Sequence, residues 1–169
     1  MATTTFHLRV STRYFEPPER VWASRTEPGA LSREFPPWAP FSLADPAALA
    51  AAIAQARPLD TVGRLGLLPW PISLVAVQPG VSLSDRSENA LFSRFEHTLM
   101  VEPVRDGTRC METVTFTPRM PAKVSAILTQ RLFVTRHVRA SAAMAVDSRT
   151  VGVSVLRVWD PEEDEPAGA

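Results

Sequence analysis

The chain predicts an α+β fold in which an antiparallel sheet packs against one long C-terminal helix. Three stretches carry that expectation. Phe6, Leu8, Val10, Thr12 and Tyr14 alternate with His7, Arg9, Ser11 and Arg13, the period of a strand with one dry face. Residues 92–117 hold two further alternating runs around Val104-Arg105-Asp106-Gly107, which reads as a hairpin. After Pro121, neither glycine nor proline occurs up to Ala145, and a helix of about 25 residues would be roughly 37 Å long. A helix of that length must lie across the sheet to be covered.

The elements follow in order. Pro17-Pro18 stops the first strand, and Pro18 to Trp22 opens a short helix, with Glu19 suited to the positive end of its dipole. Pro28 ends that helix. Gly29 to Phe35 predicts another brief one, and Pro36-Pro37-Trp38-Ala39-Pro40 a rigid connection. Asp45 is the expected cap of an alanine-rich helix from Pro46 to Ala56. Residues 61–78 read as an apolar strand interrupted at Pro69-Trp70-Pro71, with the prolines pointing to an edge or a bulge. Gly80 permits a turn, and Val81 to Ser87 makes a weaker strand. On a helical wheel Val124, Ile127, Leu128, Leu132, Val134, Val138 and Ala142 form one apolar arc, opposite Phe133 and Met144. Residues 150–159 predict a last strand, and 160–169 an acidic, disordered tail.

Composition narrows the function classes. A chain of 169 residues fits one domain, here 1–159, able to bury roughly 70% of its unfolded surface. Lys+Arg and Asp+Glu balance at 18 each, so no long-range field favours nucleic acid or an anionic membrane. Cys110 is the only cysteine, which excludes an internal disulfide and reads as a small core residue. No basic-then-apolar leader and no apolar run near the roughly 20 residues of a bilayer span is present. A cytoplasmic protein without membrane insertion is the expectation. No metal-ligand spacing or cofactor motif is visible.

Four segments in this order resemble the SRPBCC superfamily, the helix-grip proteins that include START-like domains, polyketide cyclases and pollen allergens. They are Tyr14 to Trp22, Phe95-Glu96-His97, Gly107 to Phe116 against Gly-Thr-x-Leu-x-Asp-x-Val-x-Tyr, and Leu132 to Arg136 at the start of a Phe-x-x-Arg helix. The usual Trp, Asp and Tyr are replaced by Phe95, Glu112 and Phe116. The helix at 46–56 and the strand after 150 look like additions. The resemblance covers about residues 3–145. It implies a curved antiparallel sheet wrapped around the C-terminal helix, two short helices after the first strand, and a hydrophobic-ligand pocket between sheet and helix. It does not choose among binders, carriers and cyclases.

Candidate site residues follow. His97 and Glu112 interrupt apolar strand faces, either as a ligand-orienting or proton-transferring pair or as a mutually satisfied pair holding register. Arg136 matches the family arginine, whereas the wheel places Arg131 and Arg139 more squarely on the apolar arc. Whichever arginine reaches inward has Glu112 as its natural partner. Trp38, Trp70, Phe95, Val114, Phe116, Leu128, Leu132 and Thr135 complete the candidate lining, although aromatics at such places are more often plain core. The leading expectation is binding or carriage of a small hydrophobic molecule without a cofactor. The alternatives are a cyclase or dehydratase using His97 and Glu112, or an interaction module in which the Phe133 side joins two subunits.

Overall fold

The computed structural model describes residues 4–144 and the backbone of 153–159. The predicted acidic tail at 160–169 lies outside the described residues. Strand β1 (Phe6–Tyr14) is followed by helices α1 (Pro18–Thr26) and α2 (Ala30–Glu34), strand β2 (Phe41–Leu43) and helix α3 (Pro46–Ala54). Strands β3 (Leu59–Leu65), β4 (Leu68–Gln78), β5 (Ser82–Ser87), β6 (Phe92–Val104) and β7 (Gly107–Pro118) come next, then α4 (Ala122–Met144) and β8 (Val153–Trp159). One eight-stranded sheet has the order β2-β3-β4-β5-β6-β7-β1-β8, antiparallel throughout. Helix α4 packs on β1 and β7, and α1 and α2 pack on α4.

Alternation decides which faces turn inward. Phe6, Leu8, Val10, Thr12 and Tyr14 of β1 are buried, as are Cys110, Glu112, Val114 and Phe116 of β7. On β6 a bulge between Phe92 and Arg94 shifts the parity, so Phe92 and Phe95 both face the core. Asp45 caps α3 by accepting a hydrogen bond from Ala48 N at 2.9 Å. In the β6–β7 hairpin Gly107 has φ +133°, and a Cβ there would sit 2.0 Å from the Tyr14 carbonyl oxygen. That contact is backbone, which cannot rotate away. Gly107→Ala is therefore expected to cost roughly 2–3 kcal/mol in urea unfolding. A cost under about 0.5 kcal/mol would show that the hairpin tip does not lean on the end of β1.

Two expectations need correction. Residues 61–78 are not one interrupted strand. The chain reverses at Gly66-Leu67, and β3 and β4 pair from Leu65↔Leu68 to Leu59↔Leu74. Gly66 at φ +59° takes the first central place of a two-residue turn. Across such a turn Leu65 and Leu68 form the hydrogen-bonded pair, so Pro69 and Pro71 fall at the alternate positions that need no N–H toward β3. Their nitrogens face the other side, where β5 pairs only from Ser73 onward.

The second correction concerns α4. Val124, Ile127, Leu128 and Val138 of the predicted apolar arc are exposed, and Phe133 is only 2% exposed. The buried face is Ser125, Ala126, Thr129, Leu132, Phe133, Arg136, His137, Ala140 and Ser141. Phe133 thus packs in the core and cannot join two subunits.

That buried face is polar because of what it meets. The core divides into two apolar clusters. One holds Phe6, Leu8, Val10, Trp70, Phe95, Phe116, Leu132 and Phe133. The other holds Tyr14, Val21, Ile53, Leu74, Leu83, Leu99, Val101 and Cys110. Between them Thr12, Glu112, His97 and Asp85 run as a polar belt across β1, β7, β6 and β5. Among the described residues no helix is long and apolar enough to cross a membrane.

Candidate functional site

The belt on the sheet is met from above by charges on three helices. On α1, Arg25 lies one turn beyond buried Val21 and is itself buried. On α2, Glu34 stands four residues after buried Ala30 and is 0% exposed. Arg136 and His137 come from the inner face of α4. Arg25 Nη2 donates to Glu112 Oε1, and its Nη1 lies 3.3 Å from Glu34 Oε2. Arg136 Nη2 bridges the same two acids, 3.2 Å from Glu34 Oε2 and 3.3 Å from Glu112 Oε1. Its guanidinium also lies over Phe35 and Phe133, each centroid 5.1 Å away. Two arginines and two glutamates close a square that is almost wholly buried.

Both imidazoles face Glu112. His137 Nε2 is 3.7 Å from Oε2, while its Nδ1 shares a hydrogen bond of 2.7 Å with the Thr12 hydroxyl. His97 Nε2 is 3.8 Å from Oε1, beyond hydrogen-bond length, and Nδ1 lies 2.7 Å from Asp85 Oδ2. His97 and Glu112 are diagonal neighbours, because the register pairs His97 with Val114 and Leu99 with Glu112. Each therefore finds its main partner elsewhere, His97 in Asp85 and Glu112 in Arg25.

The electrostatics follow from burial and partners. Burial alone would raise the Glu112 carboxyl, but Arg136 and Arg25 hold it well below the usual range. Burial wins at Glu34, whose pKa is raised despite Arg25 and Arg136. At His97 burial acts downward, yet Asp85 and then Glu112 raise it to about 9, so it is protonated at neutral pH. At His137 burial prevails and lowers the pKa, leaving a neutral ring. The two histidines thus carry different protonation states against one carboxylate.

A hollow of about 100 Å³ opens beside this cluster, between the sheet, α1–α3 and α4. Its walls are mostly apolar and include Leu31, Phe35, Leu49, Ile53, Trp70, Phe95, Leu132 and Phe133. Arg25, His97 and Arg136 also line it, whereas among the described residues Glu34 and Glu112 stand behind them. Arg25 Nε and Nη1, Arg136 Nε and His97 Nε2 have no hydrogen-bond partner. The polar end of the hollow is thus formed by three basic side chains, each with an unpaired buried nitrogen. Two acids are on its wall: Asp85, whose Oδ2 is taken by His97, and Glu27, which accepts from Arg33.

Of the sequence-predicted residues, Trp70, Phe95, His97, Leu132 and Arg136 come together on this hollow. Trp38 and Leu128 lie on a neighbouring one that shares Trp70, Phe95 and Leu132. Val114 and Phe116 are fully buried in the sheet, and Glu112 lies beneath the arginines. Arg131 is exposed and Thr135 half-buried, and neither is on the walls of these two hollows. Arg136, rather than Arg131 or Arg139, is the helix arginine that reaches Glu112; Arg139 donates from Nε to the Arg33 carbonyl at 2.9 Å.

Sequence reasoning missed Arg25, Glu34, Asp85 and His137. For the first two a signal existed, since each follows a buried apolar residue by four positions on a short helix. Among the described residues no group of three or more histidine, cysteine, aspartate or glutamate side chains is arranged to hold a metal ion.

Comparison with solved structures gives the fold independently. A protein from Chromobacterium violaceum, CV1439, superposes with a TM-score of 0.61 at 15% identity over 83% of this chain and 98% of that one. DynU16, described as a putative protein in the dynemicin biosynthetic locus, gives 0.60 at 15% identity over 83% of this chain and 47% of its own. Ara h 8.0201 gives 0.55 at 9% identity over 83% of this chain and 99% of its own. At these identities the likeness establishes the helix-grip α+β fold and nothing finer. No curated protein sequence matches the chain. Residues 13–144 match the model described as a domain of unknown function, DUF8410, and the chain belongs to that family.

Proposed function

We propose that this protein binds a small, largely apolar molecule bearing an oxygen acceptor, with the acceptor at Arg25, His97 and Arg136. The observation that carries the reading is the convergence of Arg25, His97 and Arg136, each with an unpaired nitrogen, at one end of an otherwise largely apolar hollow. A buried donor without a partner costs about 1–3 kcal/mol, so the structure gains when a ligand oxygen supplies one. The glutamates behind hold the two arginines in place at the edge of the hollow. Membership of the SRPBCC superfamily, with ligand carriage between sheet and helix, is consistent with the helix-grip fold and with the four sequence segments.

Size limits the guest. An apolar cavity of about 150 Å³ takes up benzene, so a hollow of about 100 Å³ limits the enclosed part of the guest to no more than a single ring or a short acyl chain. Acetophenone and its apolar isostere ethylbenzene separate the two parts of the claim. Acetophenone is expected to bind roughly tenfold more tightly, by titration calorimetry or by shifts of the Phe133 and Leu132 resonances. Ala50, on α3, lies on the wall of the hollow. Ala50→Trp is expected to fill the space and lower acetophenone affinity at least tenfold. Absence of binding for both compounds would end the proposal.

A second reading, catalysis of the cyclase or dehydratase type, draws on the Asp85–His97 contact at 2.7 Å. A protonated His97 would serve it as a proton donor to a substrate carbonyl and not as the initial base. Unchanged turnover of a genuine substrate by His97→Ala would remove this reading.

A further inference from the structure

We infer that the hollow beneath the first turns of α4 is a second chamber of the same binding site, taking an apolar tail that ends in a hydroxyl group. The inference rests on the proposed role of the first hollow, because the oxygen head sits there. The second hollow measures about 110 Å³, close to the first. Trp70, Phe95 and Leu132 belong to the walls of both, so the two spaces lie back to back across these side chains. Either space alone holds a ring or a short chain; a longer guest has to pass the partition.

Shared side chains form this partition, Trp70 among them. Trp70 meets Phe95 and Phe92 edge-on, with centroids 5.2 and 5.8 Å apart and planes at 84° and 67°. It is carried by the Pro69–Pro71 segment of β4, which pairs with β3 on one side and precedes the β5 pairing on the other. The indole is therefore mounted on a stretch of β4 that is paired on one side only.

The far chamber carries a mark of its own. Ser125 is 1% exposed, its Oγ has no hydrogen-bond partner, and it lies on the wall of the second hollow. A serine inside a helix ordinarily bonds to nearby backbone or to water, and Ser125 in the first turn of α4 does neither through its side chain. The rest of that wall is apolar apart from Thr129, one turn further along α4, and a hydroxyl on the guest satisfies Ser125. Trp38 and Leu128, 58% and 43% exposed, stand at the rim.

A series of 2-alkanones with five to thirteen carbons, plain or hydroxylated at the far end, tests this by calorimetry. Each methylene taken from water gives about fourfold in affinity. The gain is expected to stall at the length that meets Trp70 and then resume, with Trp70→Ala abolishing the stall. Leu128→Trp, at an exposed position, is expected to cost the long ketones at least tenfold and the short ones less than twofold. A terminal hydroxyl on the longest chains is expected to gain about tenfold in the wild type and nothing in Ser125→Ala. Affinity that levels off permanently, or a Leu128→Trp effect equal at all lengths, overturns the second chamber while leaving the first intact. If no ketone of any length binds, the reading of the first hollow falls and this one with it.

Discussion

Arg25→Met is expected to destabilise the protein by about 3–5 kcal/mol, the cost of leaving a buried counter-charge alone. In a chain of this length that corresponds to a fall in melting temperature of roughly 6–20 °C. The reason lies in the square of charges. Arg25 is one of the two guanidinium groups shared by Glu34 and Glu112, and both acids are fully buried. Without it Arg136 must serve both carboxylates, and one of them must take a proton or admit water.

A control on the same helix separates this from lost helix propensity. Arg20 pairs with Glu16 at 2.9 Å on the surface, and its side chain is 67% exposed. Arg20→Met is expected to change stability by less than about 0.5 kcal/mol. Adding Glu112→Gln to Arg25→Met should recover at least 1–2 kcal/mol, because the second change removes the charge the first one stranded. Equal effects of Arg25→Met and Arg20→Met would mean that the buried square contributes nothing to the folded state.

The square also explains which parts of this protein are legible in its sequence. The β6–β7 hairpin, β1 and the capped helix α3 announce themselves because alternation and end signals are local, and the structure has all of them. Glu112 and His97 stand out for the same reason, since a charge breaks an apolar period. Arg25 and Glu34 do not, because a charge on a short helix ordinarily faces water; only their spacing from Val21 and Ala30 marks them.

Helix α4 misleads for a related reason. Its inner face carries Arg136, His137 and Ser141 to meet the polar belt, so its apolar residues Val124, Ile127 and Val138 are left outside and the wheel points the wrong way. The Gly66-Leu67 turn is missed because Leu67, 89% exposed, lacks turn chemistry and continues an apolar run. Where burial is decided by partners far apart in the chain, local pattern fails in a definite direction: it puts buried charges outside.

The protonated His97 makes the second strong prediction, and its sign is fixed. In the folded protein His97 holds its proton to about 9, whereas an unfolded histidine releases it near 6.5. Between those values the native state binds more protons than the unfolded one, so stability falls as pH rises. The contribution is fully present below pH 6.5 and is lost through about 9, for a total of up to about 3 kcal/mol at 1.36 kcal/mol per unit. His137 acts oppositely: its lowered pKa favours the native state above pH 6.5 and weakens it below. Glu112 adds a loss at still lower pH, as protonation of the unfolded carboxyl begins near 4.5. Cys110 and Tyr14, both raised to about 12 by burial, add to the alkaline loss once their unfolded counterparts ionise near 9 and 10. Glu34, raised by burial, adds a loss of the same sign that begins near 4.5, so between 6.5 and about 8.5 the comparison with a His97 variant isolates His97. Urea midpoints measured there should decline in the wild type and stay level in His97→Gln. Asp85→Asn should shrink the slope without touching the imidazole, since the Asp85 carboxylate is the largest influence raising the pKa. A wild-type slope that survives His97→Gln would assign the proton to another group and remove the charged donor on which recognition of a ligand oxygen depends.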